Sequence, residues 1–256
     1  MKNIIRLISM VVILSGTIIA QQPTGLEIIE KAYNRPVSKT MEANLSMILE
    51  NSRGVQRVRE IKQYTKDFSD AEKKLMIFLQ PKDVKNTTFM NWSFEDGSED
   101  QWIYLPALKK IKRISSDSDS DYFMGSDFTY DDLGDRHPAE DTHKLIGEET
   151  VDGYDCYIVE SIPLDEEYMY TKTVTWIIKD KWIGYKKEFY DEDEEFLKQL
   201  NLVKYEEFGD IIVLTEVKMG NDQNGHSTIM RLSDVEIDKS IADNMFTERM
   251  MKRGIR

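Results

Sequence analysis

The chain has 256 residues, a formal charge of −13, 40% hydrophobic and 32% charged residues. This is the composition of a folded chain with a polar exterior. It excludes a disordered tail, and the acidity argues against nucleic acid and against electrostatic attachment to anionic lipid surfaces, since both need basic patches. A single cysteine, Cys156, excludes an internal disulfide, so core burial alone must hold the fold.

Residues 1–20 read as a secretory signal. Lys2 and Arg6 precede the apolar run from Leu7 to Ala20, and the polar Gln21-Gln22-Pro23 follows. Cleavage after Ala20 leaves residues 21–256 as one soluble domain, with no cysteine at the boundary to take a lipid anchor. Thr24 and Glu27 then stand at capping-box spacing, and Leu26, Ile28, Ile29, Ala32 and Tyr33 form an apolar stripe that Asn34-Arg35-Pro36 ends. This predicts an amphipathic helix that must lie against something.

From Met41 the period changes to two. Met41, Ala43, Leu45, Met47 and Leu49 alternate with polar residues, Asn51-Ser52-Arg53-Gly54 turns the chain, and residues 55–65 return as a second strand. Further strands are readable at 75–80, 87–94, 101–105 and 111–115, then at 144–149, 155–161, 171–178, 183–190, 197–207, 211–219 and 227–235. Asp96-Gly97, Asp152-Gly153, Gly209-Asp210 and the stretch from Asn221 to Gly225 supply turns between them. The expectation is a mainly β chain with about 11–12 antiparallel strands, one face solvated and the other covered or lining a cavity. A sheet that wide has to curve strongly. Residues 241–251 read as a short closing helix or tail. Residues 115–141 form a long Ser/Asp/Gly-rich excursion, functional or mobile.

Catalytic and metal chemistry is missing from the pattern. His137, His143 and His226 are far apart in sequence and in no metal spacing, and no G-x-S-x-G elbow occurs. Asp117, Asp119 and Asp121 alternate like a calcium loop, but Tyr122 and Phe128 stand where that loop needs Gly and Glu. Cys156 lies in a strand-like run with no neighbouring cation, the setting of an inert thiol. We therefore expect no enzyme, no cofactor and no metal. Lys109, Lys110, Lys112 and Arg113 form a basic hairpin end, which suits either an acidic partner or a solubilised tip.

The run from Gln101 through Trp102, Tyr104, Leu105-Pro106-Ala107 to Ile114, followed by Phe123-Met124-Gly125-Ser126-Asp127-Phe128 and Thr129 to Leu133, resembles the outer-membrane lipoprotein-sorting protein family, relatives of the LolA/LolB carriers. The opening helix, Leu79-Gln80-Pro81-Lys82-Asp83-Val84 and the stretch from Gly147 to Tyr154 agree with it. The resemblance implies a half-open β-barrel with helices plugging its concave face, working in the periplasm as a monomer. It implies a lipid or lipoprotein acyl chain as guest, an inner-membrane exporter as donor and an outer-membrane acceptor. Hydrocarbon left in water costs about 0.8 kcal/mol per CH₂, so such a carrier needs a dry hollow. Leu45, Met47, Leu49, Met90, Trp92, Trp102, Tyr104, Met124 and Phe128 are the candidates to line it. Trp102 and Tyr104 either rim the mouth or pack under the opening helix. An envelope lipid sensor or accessory subunit of an exporter is the alternative reading.

Overall fold

Residues 22–115 and 118–254 are described in the computed structural model, so the expected signal segment and Asp117 lie outside the described residues. The anticipated capping pair opens helix α1 (Gly25–Tyr33): the Glu27 amide donates to Thr24 Oγ1 at 3.2 Å, and the Thr24 amide donates to the Glu27 carboxylate at 2.7 Å. Six strands follow by hairpins, β1 (Thr40–Glu50), β2 (Gln56–Asp67), β3 (Ala71–Gln80), β4 (Thr88–Phe94), β5 (Glu99–Leu105) and β6 (Lys110–Ile114). After a crossover, residues 115–140, come β7 (Asp141–Val151), β8 (Tyr154–Pro163), β9 (Lys172–Ile178), β10 (Gly184–Tyr190), β11 (Phe196–Phe208), β12 (Ile211–Asn221) and β13 (His226–Ile237), and α2 (Glu248–Arg253) follows them.

Among the described residues thirteen strands form one antiparallel sheet in the order β6-β5-β4-β3-β2-β1-β13-β12-β11-β10-β9-β8-β7. Each segment readable as a strand is one, so the strands number thirteen where the overall expectation is about 11–12. Every neighbour is a sequential hairpin except β1 with β13, which joins the two halves through pairs such as Leu45–Leu232 and Met47–Met230. β6 and β7 do not pair with each other, so the sheet stays open. Lys110, Lys112 and Arg113 belong to edge strand β6, where charge discourages pairing with another chain.

The sheet bends hard. Phe89 on β4 and Phe189 on β10 belong to one buried cluster. Seven strand spacings separate them, roughly 34 Å in a flat sheet at about 4.8 Å per strand. Only a wrapped sheet, with a cover between its halves, brings them into one core.

The outer face is solvated as expected over the central strands, where the ion pairs Lys62–Glu42 and Arg231–Glu216 lie on it, but over β3 to β5 it is covered as well. On the inner face α1 sets Ile28 against Val159 and Ile177, with Leu145 and Trp182 beside them. The approach is close: a Cβ at Gly25 would stand 2.7 Å from the His143 carbonyl carbon, so only glycine fits there. On the outer face Ile241, Phe246 and Met251 of the closing segment pack on Leu75, Ile77 and Met90. The near-continuous apolar run Leu75-Met76-Ile77-Phe78-Leu79 in β3 is the local cause, since such a strand has no polar side to offer water.

Candidate functional site

From Phe123 to Leu133 the crossover turns inward. It re-enters the bend and buries Phe123, Phe128, Tyr130 and Leu133 against Leu45, Met47, Ile61, Phe78, Phe89 and Ile103. Phe123 stands with its ring centroid 5.1 Å from Phe89, 5.5 Å from Tyr130 and 6.0 Å from Phe78. The inner apolar face is thus closed by a separate piece of chain that is no part of the sheet.

Polar anchors fix this cover at both ends of the bend. Lys198 on β11 is completely buried, and its Nζ meets Asp132 Oδ2 at 2.5 Å and donates to the Asp127 carbonyl at 3.1 Å. Asp132 also accepts from the Thr129 amide at 2.7 Å and from the Tyr170 hydroxyl at 3.1 Å, so its charge is fully engaged. Thr228 Oγ1 donates to Asp127 Oδ2 at 2.7 Å and accepts from the Asp127 amide at 3.0 Å. On the opposite half, Arg59 donates to the Met124 carbonyl, Gln101 to that of Tyr130 at 3.0 Å and Lys74 to that of Leu133 at 3.1 Å. Met124 takes a positive φ of 52°, and Gly125 follows at 72°, which turns the chain inside the bend.

Tyr168 donates to Asp131 Oδ2 at 2.5 Å, and the Arg136 guanidinium lies 3.7 Å from the Tyr168 ring centroid while forking onto Asp141. Burial pushes the Asp131 carboxyl up to about 6, against the hydrogen bond from Tyr168 and with help from Asp132. Its folded value lies above its ordinary 3.8, so from about pH 4 to about 6 the folded state holds the proton that the unfolded state has lost. Stability therefore falls as pH rises through that window. Asp131→Asn is expected to be the more stable protein at pH 7.5 and to lose this part of the slope. Urea midpoints at several pH values check it, and an unchanged slope would assign the dependence to other groups.

Unfilled space lies near the end of α1 and at one end of the cover. A hollow of about 520 Å³ opens between the end of α1 and the β9–β10 and β11–β12 turns, lined by Lys31, Arg35, Trp182 and Ile212 among others. A second, of about 250 Å³, lies on the other side of Arg35 and Ile212 and is lined by Val37, Met41, Thr65, Lys74, Val213 and Leu232 among others. Thr65 Oγ1 there is buried without a hydrogen-bond partner. A third space of about 250 Å³ touches Leu49, Gly125 and Asp127, where the cover meets the β1–β2 end of the sheet.

The nine candidate lining residues divide by face. Leu45, Met47, Leu49, Met124 and Phe128 come together on the inner face at the cover. Met90, Trp92, Trp102 and Tyr104 come together on the outer face, packed with the closing segment rather than at a mouth or under α1. Trp92 and Trp102 meet edge-to-face at 5.2 Å. Sequence reasoning missed Lys198, Arg59 and Arg35. Lys198 was findable, since it shares strand parity with Leu200, a cation in an apolar phase. Arg35 and Arg59 carry no such signal, because the groups they reach, Ile212 and Met124, are 177 and 65 residues away.

His143 and Ser161 form the nearest approach to a nucleophile and base, with Nδ1 and Oγ 2.8 Å apart. The Pro138 carbonyl lies 2.8 Å from His143 Nε2 and makes that nitrogen the donor, so Nδ1 accepts from the serine. Ser161 is only 4% exposed and lines none of the hollows above, so the pair ties β7 to β8. Cys156 is buried, and burial pushes its thiol up, away from the reactive thiolate. Among the described residues no group of His, Cys, Asp and Glu could hold a metal ion.

A family model described as "Uncharacterized protein" matches residues 70–253. No curated protein matches the chain at a significant level. Among solved structures, one described as an outer membrane lipoprotein-sorting protein domain from Vibrio parahaemolyticus is 35% identical, with a TM-score of 0.84 over 90% of this chain and 98% of that one. A DUF1329 family protein from Desulfovibrio piger is 28% identical, with a TM-score of 0.83 over 89% and 97%. A LolA superfamily protein from Nitrosomonas europaea shares the fold, with a TM-score of 0.70 and 18% identity over 90% and 100%. An open, wrapped antiparallel sheet with an independent cover, matched at this identity over nearly its whole length, places the chain: it belongs to the outer-membrane lipoprotein-sorting protein family and has the LolA-type fold.

Proposed function

We propose that the protein is a periplasmic carrier that shelters the acyl chain of a lipid or lipoprotein on the inner face of its sheet. It works as a monomer without catalysis, between an inner-membrane exporter and an outer-membrane acceptor. The observation that carries this reading is the cover. Phe123, Phe128, Tyr130 and Leu133 arrive on a crossover and are held by a small set of polar anchors, so they can leave while the strands stay paired. A guest chain would take their place against Leu45, Met47 and Leu49, with Met124 repacking around it because an unbranched thioether adapts at low cost. No helix among the described residues is long and apolar enough to cross a membrane, and the reading does not need one.

Expression with export, followed by mass spectrometry of co-purified lipid and titration with a fluorescent fatty-acyl probe, tests the proposal. Saturable, stoichiometric uptake is expected. A protein that is reproducibly empty and takes up no probe overturns it.

A further inference from the structure

We infer that Arg35 anchors an acidic head group, a carboxylate or a phosphate, on the guest amphiphile; this rests on the carrier reading above and narrows it to acidic lipids. Arg35 stands where α1 has ended and before β1 begins, and with Ile212 it walls two hollows at once, of about 520 and 250 Å³. Its Nη1 donates to the Ile212 carbonyl at 2.9 Å, and among the described residues this is its only hydrogen bond. A guanidinium carries five donors in a planar fork. No carboxylate of the described residues lies within 4.0 Å of it. Burial lowers its proton affinity, with Asp135 and Glu72 acting in the opposite direction from beyond contact.

Arg136 shows how this chain satisfies a partly buried guanidinium in a structural role. Its Nε and Nη2 fork onto Asp141, and its Nη1 reaches Glu140. Arg35 has the desolvation without the partner. A partly desolvated guanidinium in the wall of unfilled space, with donors beyond the one that the Ile212 carbonyl takes, is complementary to an oxyanion, which a guanidinium can take bidentately at about twice the strength of a neutral contact. The larger hollow is also lined by Glu27, Glu30, Asp180 and Asp210, which oppose an anion, so the head group is placed in the smaller one, whose surroundings fit an amphiphile rather than a free anion. In the smaller hollow Val37, Met41, Val213 and Leu232 present apolar surface beside Arg35, and Thr65, whose hydroxyl is buried without a partner, stands in the same wall. Lys74 lines the same space and offsets Glu72.

The test compares a fluorophore-tagged long-chain fatty acid with its methyl ester on the full-length exported protein. Lysophosphatidic acid and monoacylglycerol serve as unlabelled displacers. The parent is expected to bind the acid about 10-fold or more tightly than the ester, the range of a charge-assisted hydrogen bond. Arg35→Gln should bring the acid down to the ester and leave the ester within about twofold of its parent value, while Arg35→Lys keeps part of the preference. The displacers assign the source: lysophosphatidic acid displacing better than the fatty acid itself points to a phosphate head, and the reverse to a carboxylate. Equal binding of acid and ester by the parent, or an undiminished preference in Arg35→Gln, overturns the anchor and leaves the carrier reading standing. Uptake of neither overturns both. Should Arg35→Gln fail to fold in a thermal melt, the parent's acid-to-ester ratio and the Arg35→Lys variant decide.

Discussion

Replacing Lys198 by methionine is expected to destabilise the protein by about 3–5 kcal/mol, because it leaves the Asp132 carboxylate buried without its cation. The two side chains are 0% and 4% exposed, so water cannot take over. For a domain of this size about 1 kcal/mol moves the melting temperature by 2–4 °C, so a fall of roughly 6–20 °C should be read in a thermal scan. The ammonium also lies 5.1 Å from the Tyr170 ring centroid and 5.2 Å from that of Phe189, contacts that methionine keeps only as packing. The double variant Lys198→Met/Asp132→Asn should recover much of the loss, since both charges and their desolvation penalty go while an acceptor oxygen stays beside the Thr129 amide and the Tyr170 hydroxyl. Hydrogen exchange at the Thr129 and Leu133 amides should accelerate in the single variant more than exchange in β1 or β13, because the pair pins the cover rather than the sheet. A single variant within about 1 kcal/mol of the parent would show that the ion pair is not what holds the crossover down.

Phe123→Ala is expected to cost about 3–5 kcal/mol in the empty protein and to increase uptake of a fatty-acyl probe. The ring is wholly buried among Phe78, Phe89 and Tyr130, so truncation opens a cavity on the inner apolar face. In an ordinary core that cavity simply stays destabilising. In a carrier it lies where the guest goes, so a saturating probe should restore stability in proportion to the logarithm of its concentration over its dissociation constant. Melting curves with and without probe separate the two cases. Destabilisation with no gain in uptake or in ligand-induced stability would make the cover a permanent part of the core.

Local pattern was enough for most of the sheet. Each of the thirteen strands announces itself by a period of two or by a β-rich apolar run, and Asp96-Gly97, Asp152-Gly153 and Gly209-Asp210 mark hairpins because Gly97, Gly153 and Gly209 take φ of 86°, 86° and 66°. Such turns are decided by neighbours a few residues apart, so a meander is legible from the chain alone. The edges blur where burial, rather than pattern, extends a strand: β3 begins at Ala71 and not at Leu75, and β7 runs from Asp141 to Val151.

What the amino-acid sequence determined by itself is therefore the succession of strands, the capped opening helix and the family motif around Phe123 to Leu133. Only the tertiary structure decided which way each strand faces. Parity puts Met90 with Trp92 and Trp102 with Tyr104, but parity cannot say which side of a sheet is inner, and over β3 to β5, where both faces are covered, no polar side breaks the tie. The same holds for the crossover. Its Ser, Asp and Gly residues read only as a functional or mobile excursion, because Lys198, Thr228 and Arg59, which supply the partners that allow those polar groups and the aromatic residues between them to be buried together, are far away in sequence.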